Sequence, residues 1–327
     1  MPMPPASAFP ILFITATRIG DAVLSSGLIK RLADEIPNAR FTVVAGPDAA
    51  PLFAHVPNLD RVIVFEKSKS GGHWFELWQK VRRRKWGLVV DLRGSGISRF
   101  LSTKRRAIHR KAAQPIHKVL EAASVLRIED EPAPPHLFTN ADVEAYADEL
   151  TAGEGPILAL APAANWIGKT WPVERFSQVA MRLLREPWSP LQGGRLMVLG
   201  GPGDDKLGRQ LRDVAGARNF IDLAGKADVL TAYACLKRAR LFIGNDSGAM
   251  HLAAAAGIPT IGLFGPSDER LYAPWGEATR VVRGARSFDE IRASDPGFTQ
   301  MLCHMMDLPV EKVVSAAREL LKATENG

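Results

Sequence analysis

Short apolar, β-branched runs alternate with longer stretches of helical hydrophobic period along the whole chain, the pattern of βαβ units built on a parallel sheet. In the first half the spacing predicts strands over residues 11–16, 41–45, 62–65 and 88–92. A helix over 22–35 carries Val23, Leu24, Leu28 and Leu32 on one stripe, and a second, rich in Trp and Arg, covers 74–84. The second half predicts strands over 157–161, 196–199, 220–223, 241–244 and 260–264. Helices over 173–185, 205–215, 230–237 and 248–256 separate them, and a last helix over 310–323 closes the chain.

Between the halves the pattern breaks at 129–135, EDEPAPP, where neither a helix nor a central strand can continue. A helix over 142–150 follows, and Gly153, Gly155 and Pro156 punctuate again before the alternation restarts. The expected organisation is therefore two α/β domains, 1–150 and 151–327, facing a central cleft of the kind that binds ligands. A length of 327 residues, 46% hydrophobic, supports a core in each.

No apolar run approaches the roughly 18 residues of a membrane span, and the N-terminus lacks the charge pattern of a secretory leader. Two cysteines, Cys235 and Cys303, without a CxxC pair exclude a disulfide framework or a structural zinc site and suit a reducing cytoplasm.

Four loops carry candidate chemistry. Residues 241–266 place a strand end, the polar trio Asn245, Asp246 and Ser247, and a helix of small residues in immediate succession. Ser247 and Gly248 then stand at a helix N-terminus beyond a strand's carboxyl end, where free N–H groups and the helix dipole bind phosphate. His251 falls on the same helix face one turn deeper, and Asp246 suits a helix cap or a sugar hydroxyl. A capped helix with a satisfied histidine would explain the same spacing.

Residues 163–170, AANWIGKT, miss the phosphate-binding pattern GxxxxGK[ST] at its first glycine. Lys169 can still offer a point charge to a phosphate, unless it is simply solvated. In 15–21, TATRIGD, Asp21 suits either a helix cap or a general base, and Arg18 either an ion pair with Asp21 or a grip on an anionic substrate. Residues 200–205, GGPGDD, do not fit a dinucleotide fingerprint, although Asp204 or Asp205 suits a ribose hydroxyl as well as a turn.

Taken together, TRIGDAVLSSGLIKRL, GKTWPVERFSQVA and NDSGAMHLAAAAGIPTIGLFGPS resemble, in order, the family-9 glycosyltransferases, the ADP-heptose:lipopolysaccharide heptosyltransferases. The resemblance implies a GT-B fold of two Rossmann-like domains, acceptor in the first and nucleotide sugar in the second, with the last helix often packing back on the first. It makes Asp21 the catalytic base of an inverting transfer that needs no metal or cofactor. It makes Lys169 the cation at the donor diphosphate, and assigns donor binding to Asp246, Ser247, Gly248 and His251, with Asp204 near the ribose. The chain departs from the family in the APAANWIG stretch before Lys169 and in Thr170 where arginine is frequent. Two other readings are a nucleotide hydrolase built on 163–170 and a binder of sugar nucleotides without catalysis.

Charge sharpens the picture of the acceptor. The chain is formally +7, but residues 61–118 hold sixteen Lys and Arg against Glu66, Glu76 and Asp91, a local +13 that leaves −6 elsewhere. Aromatic residues there keep mostly helical core spacing, which disfavours nucleic acid. The expectation is an acidic glycolipid acceptor at the inner face of a membrane, met by Arg18, Arg105 and Arg106.

Overall fold

The computed structural model describes residues 8–66, 72–112 and 114–324. It divides into two compact units, one ending at Asn140 and the other beginning at Ala141.

The first unit runs β1 (Phe9–Ile14), α1 (Ile19–Glu35), β2 (Ala39–Ala45), β3 (Leu59–Val64), α2 (His73–Val81), β4 (Trp86–Asp91), β5 (Thr103–Ile108) and α3 (Lys118–Leu126). Its sheet is parallel in the order β3-β2-β1-β4-β5. Ile14 lies opposite both Val44 and Asp91, so β1, β2 and β4 end together and their following loops share one edge. One face of the sheet packs Leu12, Ile14, Val44 and Val89 against Leu77, Val81 and Trp86.

The second unit runs α4 (Ala141–Leu150), β6 (Ile157–Ala161), α5 (Val173–Arg185), β7 (Arg195–Val198), α6 (Asp205–Ala215), β8 (Phe220–Asp222), α7 (Val229–Leu236), β9 (Leu241–Asn245) and α8 (Gly248–Ala255). It continues through β10 (Thr260–Phe264), α9 (Glu269–Tyr272), β11 (Thr279–Arg283), α10 (Phe288–Ser294) and α11 (Val310–Ala323). This sheet too is parallel, in the order β11-β10-β9-β6-β7-β8. The buried face of α11, Val313, Ala317, Leu320 and Leu321, belongs to this unit's own core with Trp171 and Phe176.

Two strands escape the hydrophobic pattern, β5 and β11, and both lie at sheet edges. An edge strand buries fewer side chains, and lysine and arginine there discourage pairing with another chain. The residues TKRRAI of β5 thus turn the centre of the basic segment into an edge.

The unit boundary falls before the helix at 141–150 rather than after it. Glu144 and Asp148 on α4 bind the guanidinium of Arg238, at 3.0 and 2.7 Å, and tie the helix to α7. The proline-rich stretch before it is not a free linker. Its Ala133 and Pro134 carbonyls lie on α1 where Gly27 leaves no side chain, and the His136 N–H donates to Ser26 Oγ at 2.9 Å.

Candidate functional site

In the second unit the carboxyl ends of β6, β9 and β10 present three loops side by side. Asn245, fully buried at the end of β9, ties two of them together. Its Nδ2 donates to the Pro162 carbonyl at 2.7 Å and its Oδ1 accepts from the Trp171 N–H at 3.2 Å. The loop between β6 and α5 is thereby held against β9, which brings Lys169 to Asp246 with Nζ 2.6 Å from Oδ2. Asp246 is buried, while Lys169 keeps about a quarter of its side chain exposed, 26% against 7%.

The geometry decides two readings that the sequence left open. Asp246 does not cap α8, because Ser247 is the N-cap residue and Asp246 serves Lys169 instead. The stretch 163–170 is not a phosphate-binding P-loop. Residues Ile167–Lys169 form a short 3-10 turn and α5 begins only after Pro172, so Lys169 and Thr170 do not open a helix as that loop requires.

Ser247 has extended backbone, φ −154° and ψ 173°, and its side chain makes no capping bond. Its buried Oγ has no partner among the described residues. The first-turn N–H groups of α8 are therefore uncapped by side chain beside a lysine, a combination that attracts an anion. Gly248 is the first residue of that turn, and His251 is buried one turn in, its N–H on the Ser247 carbonyl at 3.4 Å. Ser267, after β10, presents another buried hydroxyl without a partner among the described residues. Arg283 on β11 grips the Gly265 and Ser267 carbonyls and fixes that loop.

Asp204 stands one residue before α6, where its Oδ2 accepts from the Gly201 N–H at 2.7 Å and closes the glycine turn after β7. Asp205 pairs with Arg209 at 2.9 Å.

A strap that no local pattern announces supports the Lys169 loop from outside. Trp166 packs against the rings of Phe298 and His304, each with centroids 5.8 Å away. The His304 N–H donates to the Gly168 carbonyl at 3.1 Å, Cys303 Sγ to that of Thr170, and Trp171 Nε1 to that of Leu308. Asn245 was legible as a polar residue ending an apolar strand; the strap was not, because its contacts are long-range and mostly to backbone.

In the first unit Asp21 is the third residue of α1, and the N-cap residue is Arg18. The cap role open to Asp21 in the sequence is therefore excluded; its carboxylate lies in the first turn, half-buried, at the carboxyl edge of the sheet. Arg18 is exposed. Gly46, just past β2, lets the Thr15–Asp21 connection lie close, since a Cβ there would meet Thr17 at 2.7 Å.

Among the described residues of the basic segment, some charges have structural partners. Arg105 and Arg106 on β5 are both exposed, and Arg106 donates to the Ser98 and Leu101 carbonyls, at 3.1 Å from Nε to the former. Arg84 pairs with Asp60 at 2.6 Å. Lys67 and Lys69 lie outside the described residues.

A pair of parallel α/β units, one with an uncapped helix terminus and a lysine at its carboxyl edge, defines a protein suited to hold an anionic ligand. The model of glycosyltransferase family 9 (heptosyltransferase) matches residues 82–295, and the chain belongs to that family of enzymes. It is 26% identical to lipooligosaccharide heptosyltransferase 2 of Haemophilus ducreyi, over 95% of this chain and 99% of that one. It is 23% identical to lipopolysaccharide heptosyltransferase 2 of Escherichia coli, over 96% and 99%. Among solved structures, ADP-heptose lipopolysaccharide heptosyltransferase II of E. coli superposes with a TM-score of 0.74 at 21% identity, covering 97% of this chain and all of that one. A family-9 glycosyl transferase from Veillonella parvula gives 0.76 at 21% identity, covering 96% and 97%. The fold is GT-B, as the sequence resemblance implied.

Proposed function

We propose that the enzyme transfers a heptose from an ADP-activated donor to the saccharide core of a lipopolysaccharide, with inversion and without a metal ion. The observation that carries the reading is Lys169 held on Asp246 beside the uncapped N-terminus of α8. In the reaction the Asp21 carboxylate takes the proton of an acceptor hydroxyl. The freed oxygen attacks the anomeric carbon opposite the diphosphate, the new glycosidic bond forms and the bond to ADP breaks. Negative charge grows on the departing diphosphate, where Lys169 and the α8 N–H groups lower the barrier most. Ser247 and Gly248 meet the diphosphate, His251 and Asp246 border it, and Asp204 reaches the ribose by releasing Gly201.

The relatives, lipooligosaccharide and lipopolysaccharide heptosyltransferases, support the sugar and acceptor class. Among the described residues no helix is long and apolar enough to cross a membrane. The exposed cations of residues 61–118, Arg105 among them, together with Arg18, draw the acidic glycolipid from the cytoplasmic face of the inner membrane.

The test is release of ADP from ADP-heptose on addition of truncated lipopolysaccharide, undiminished by EDTA. GDP- and UDP-sugars serve as competing donors in a thermal-shift screen, in which the true donor raises the melting temperature most. Equal stabilisation by all three nucleotides, or turnover that stops with EDTA, would overturn the respective part.

A further inference from the structure

Arg93 follows β4, yet its guanidinium lies over the ring of Phe65, 4.8 Å from the centroid, and over Trp74, 5.1 Å away. Phe65 directly follows β3, and its N–H donates to Ala45 at the end of β2. In the sheet order β3-β2-β1-β4, β2 and β1 stand between these residues. The side chains of Arg93 and Phe65 therefore meet from either side of β1 and β2, past the strand ends from which the segment bearing Asp21 departs.

The backbone fixes this placement of Arg93. Asp91, fully buried, accepts the Arg93 N–H on Oδ1 at 3.0 Å and the Ser95 hydroxyl on Oδ2 at 2.6 Å, and Gly94 turns the chain with φ +61°. The Asp91 carboxylate is thus committed to the turn. Among the described residues no carbonyl or carboxylate accepts a hydrogen bond from the Arg93 guanidinium, which distinguishes it from Arg84 and Arg106. Burial holds its pKa below the ordinary arginine value, with Asp91 acting the other way. A guanidinium remains charged under such a shift, so it stays a half-desolvated cation with its N–H edge unused.

We propose that Arg93 is the residue that grips an oxyanion of the acceptor saccharide, with Phe65 and Trp74 holding the guanidinium plane so that two N–H groups meet two anionic oxygens. The inference rests on the acceptor role of the first unit given under Proposed function. Stacking on aromatic faces leaves the planar edge of arginine available for such a bidentate bond, and preorganises it. Phosphate and carboxylate both present the required oxygens.

Steady-state kinetics of Arg93→Lys and Arg93→Gln test this. Both variants should raise the acceptor KM about ten- to hundredfold and leave the donor KM unchanged. A dephosphorylated acceptor and a carboxyl-reduced acceptor separate the two sources. Removing the group that Arg93 holds should bring wild type to the level of the variants and leave the variants unmoved. Acceptor KM values within twofold of wild type, or losses equal for every acceptor including one stripped of both anions, would overturn the proposal. Binding is read independently of turnover by tryptophan fluorescence, titrating the deacylated, phosphorylated core oligosaccharide without donor. Saturable quenching in wild type, lost in Arg93→Gln and weakened in Trp74→Phe, is expected even if no sugar is transferred, in which case the functional reading fails while this one stands. Quenching unchanged in Arg93→Gln overturns it.

Discussion

Lys169 and Asp246, 77 positions apart, form a 2.6 Å ion pair at the spot where the donor's diphosphate is proposed to bind. The carboxylate belongs to the strand-to-helix turn of β9 and α8, and the lysine to a loop that Asn245 and Trp171 pin in place. The cation is therefore held in position before any ligand arrives, so little reorganisation is needed when charge develops on the leaving group.

The pair predicts opposite behaviour for stability and activity. Lys169→Ala leaves the buried Asp246 carboxylate uncompensated and should lower the melting temperature, whereas Lys169→Ala with Asp246→Asn should recover most of that loss. A coupling of about 0.5–3 kcal/mol is expected from the double-mutant cycle. Activity should not recover, because removing one preorganised charge from the leaving-group site costs kcat about 10²–10³-fold. Calorimetry of the four proteins beside their ADP-release rates checks both, and a Lys169→Ala variant melting with wild type would show that the pair has no structural weight.

Asp21→Asn separates base from cap. As the third residue of α1 rather than its N-cap, Asp21 favours the helix through the dipole by about 0.3–1 kcal/mol. Urea unfolding should therefore shift little. The transfer rate should fall about 10²–10⁴-fold with donor affinity intact. A large loss of stability with modest loss of rate would return Asp21 to a structural role.

Most of what hydrophobic period can encode was legible. Helices Val173–Arg185, Asp205–Ala215 and Val310–Ala323 carry strong apolar stripes and fall where the pattern put them. What escaped was one-sided or long-range. Edge strands β5 and β11 bury too few residues to alternate clearly, and the unit boundary moved because the ion pairs of α4 with Arg238 join residues about 90 apart. At the site, residue types at a strand-to-helix turn flagged Asp246, Ser247 and Lys169 separately, and the motif resemblance joined them as a donor site. Their mutual geometry, and the meeting of Arg93 with Phe65, needed the fold, since neither follows from any local spacing.

Asp268 gives a pH dependence with a definite sign. It caps α9, accepting from the Arg270 N–H at 3.0 Å and from the guanidinium at 2.8 and 2.9 Å. The hydrogen bonds of Arg270 hold its carboxyl below the ordinary range, with burial opposing. A carboxyl whose pKa is lower in the folded state stabilises above its unfolded value of about 3.9, and that contribution fades as pH falls through the folded value. Wild type should therefore exceed Asp268→Asn in urea midpoint at pH 7, with the gap shrinking below about pH 5 and closing at lower pH. A gap that is constant across the range would assign the effect to packing.

Gly27 lies in the interior of α1, where alanine is ordinarily the better helix former by about 1 kcal/mol. Here the sign should reverse. A Cβ at Gly27 would collide with the Ala133 and Pro134 carbonyl oxygens, and these are backbone atoms of a segment already fixed by the His136 N–H on Ser26. Neither the helix nor the segment can yield without loosening the other, so Gly27→Ala should destabilise by about 1–3 kcal/mol, the usual range for overpacking. Gly96 is the matched control, since a Cβ there meets nothing within 4 Å and Gly96→Ala should stay within about 0.5 kcal/mol of wild type. Urea midpoints measure the difference, and limited proteolysis locates it. In Gly27→Ala the stretch 129–140 should become the first site of cleavage, because the change lifts the segment off α1 and leaves the core of the unit in place. A Gly27→Ala protein as stable as wild type would mean that the stretch is a loose linker after all, as its charge and prolines alone suggest.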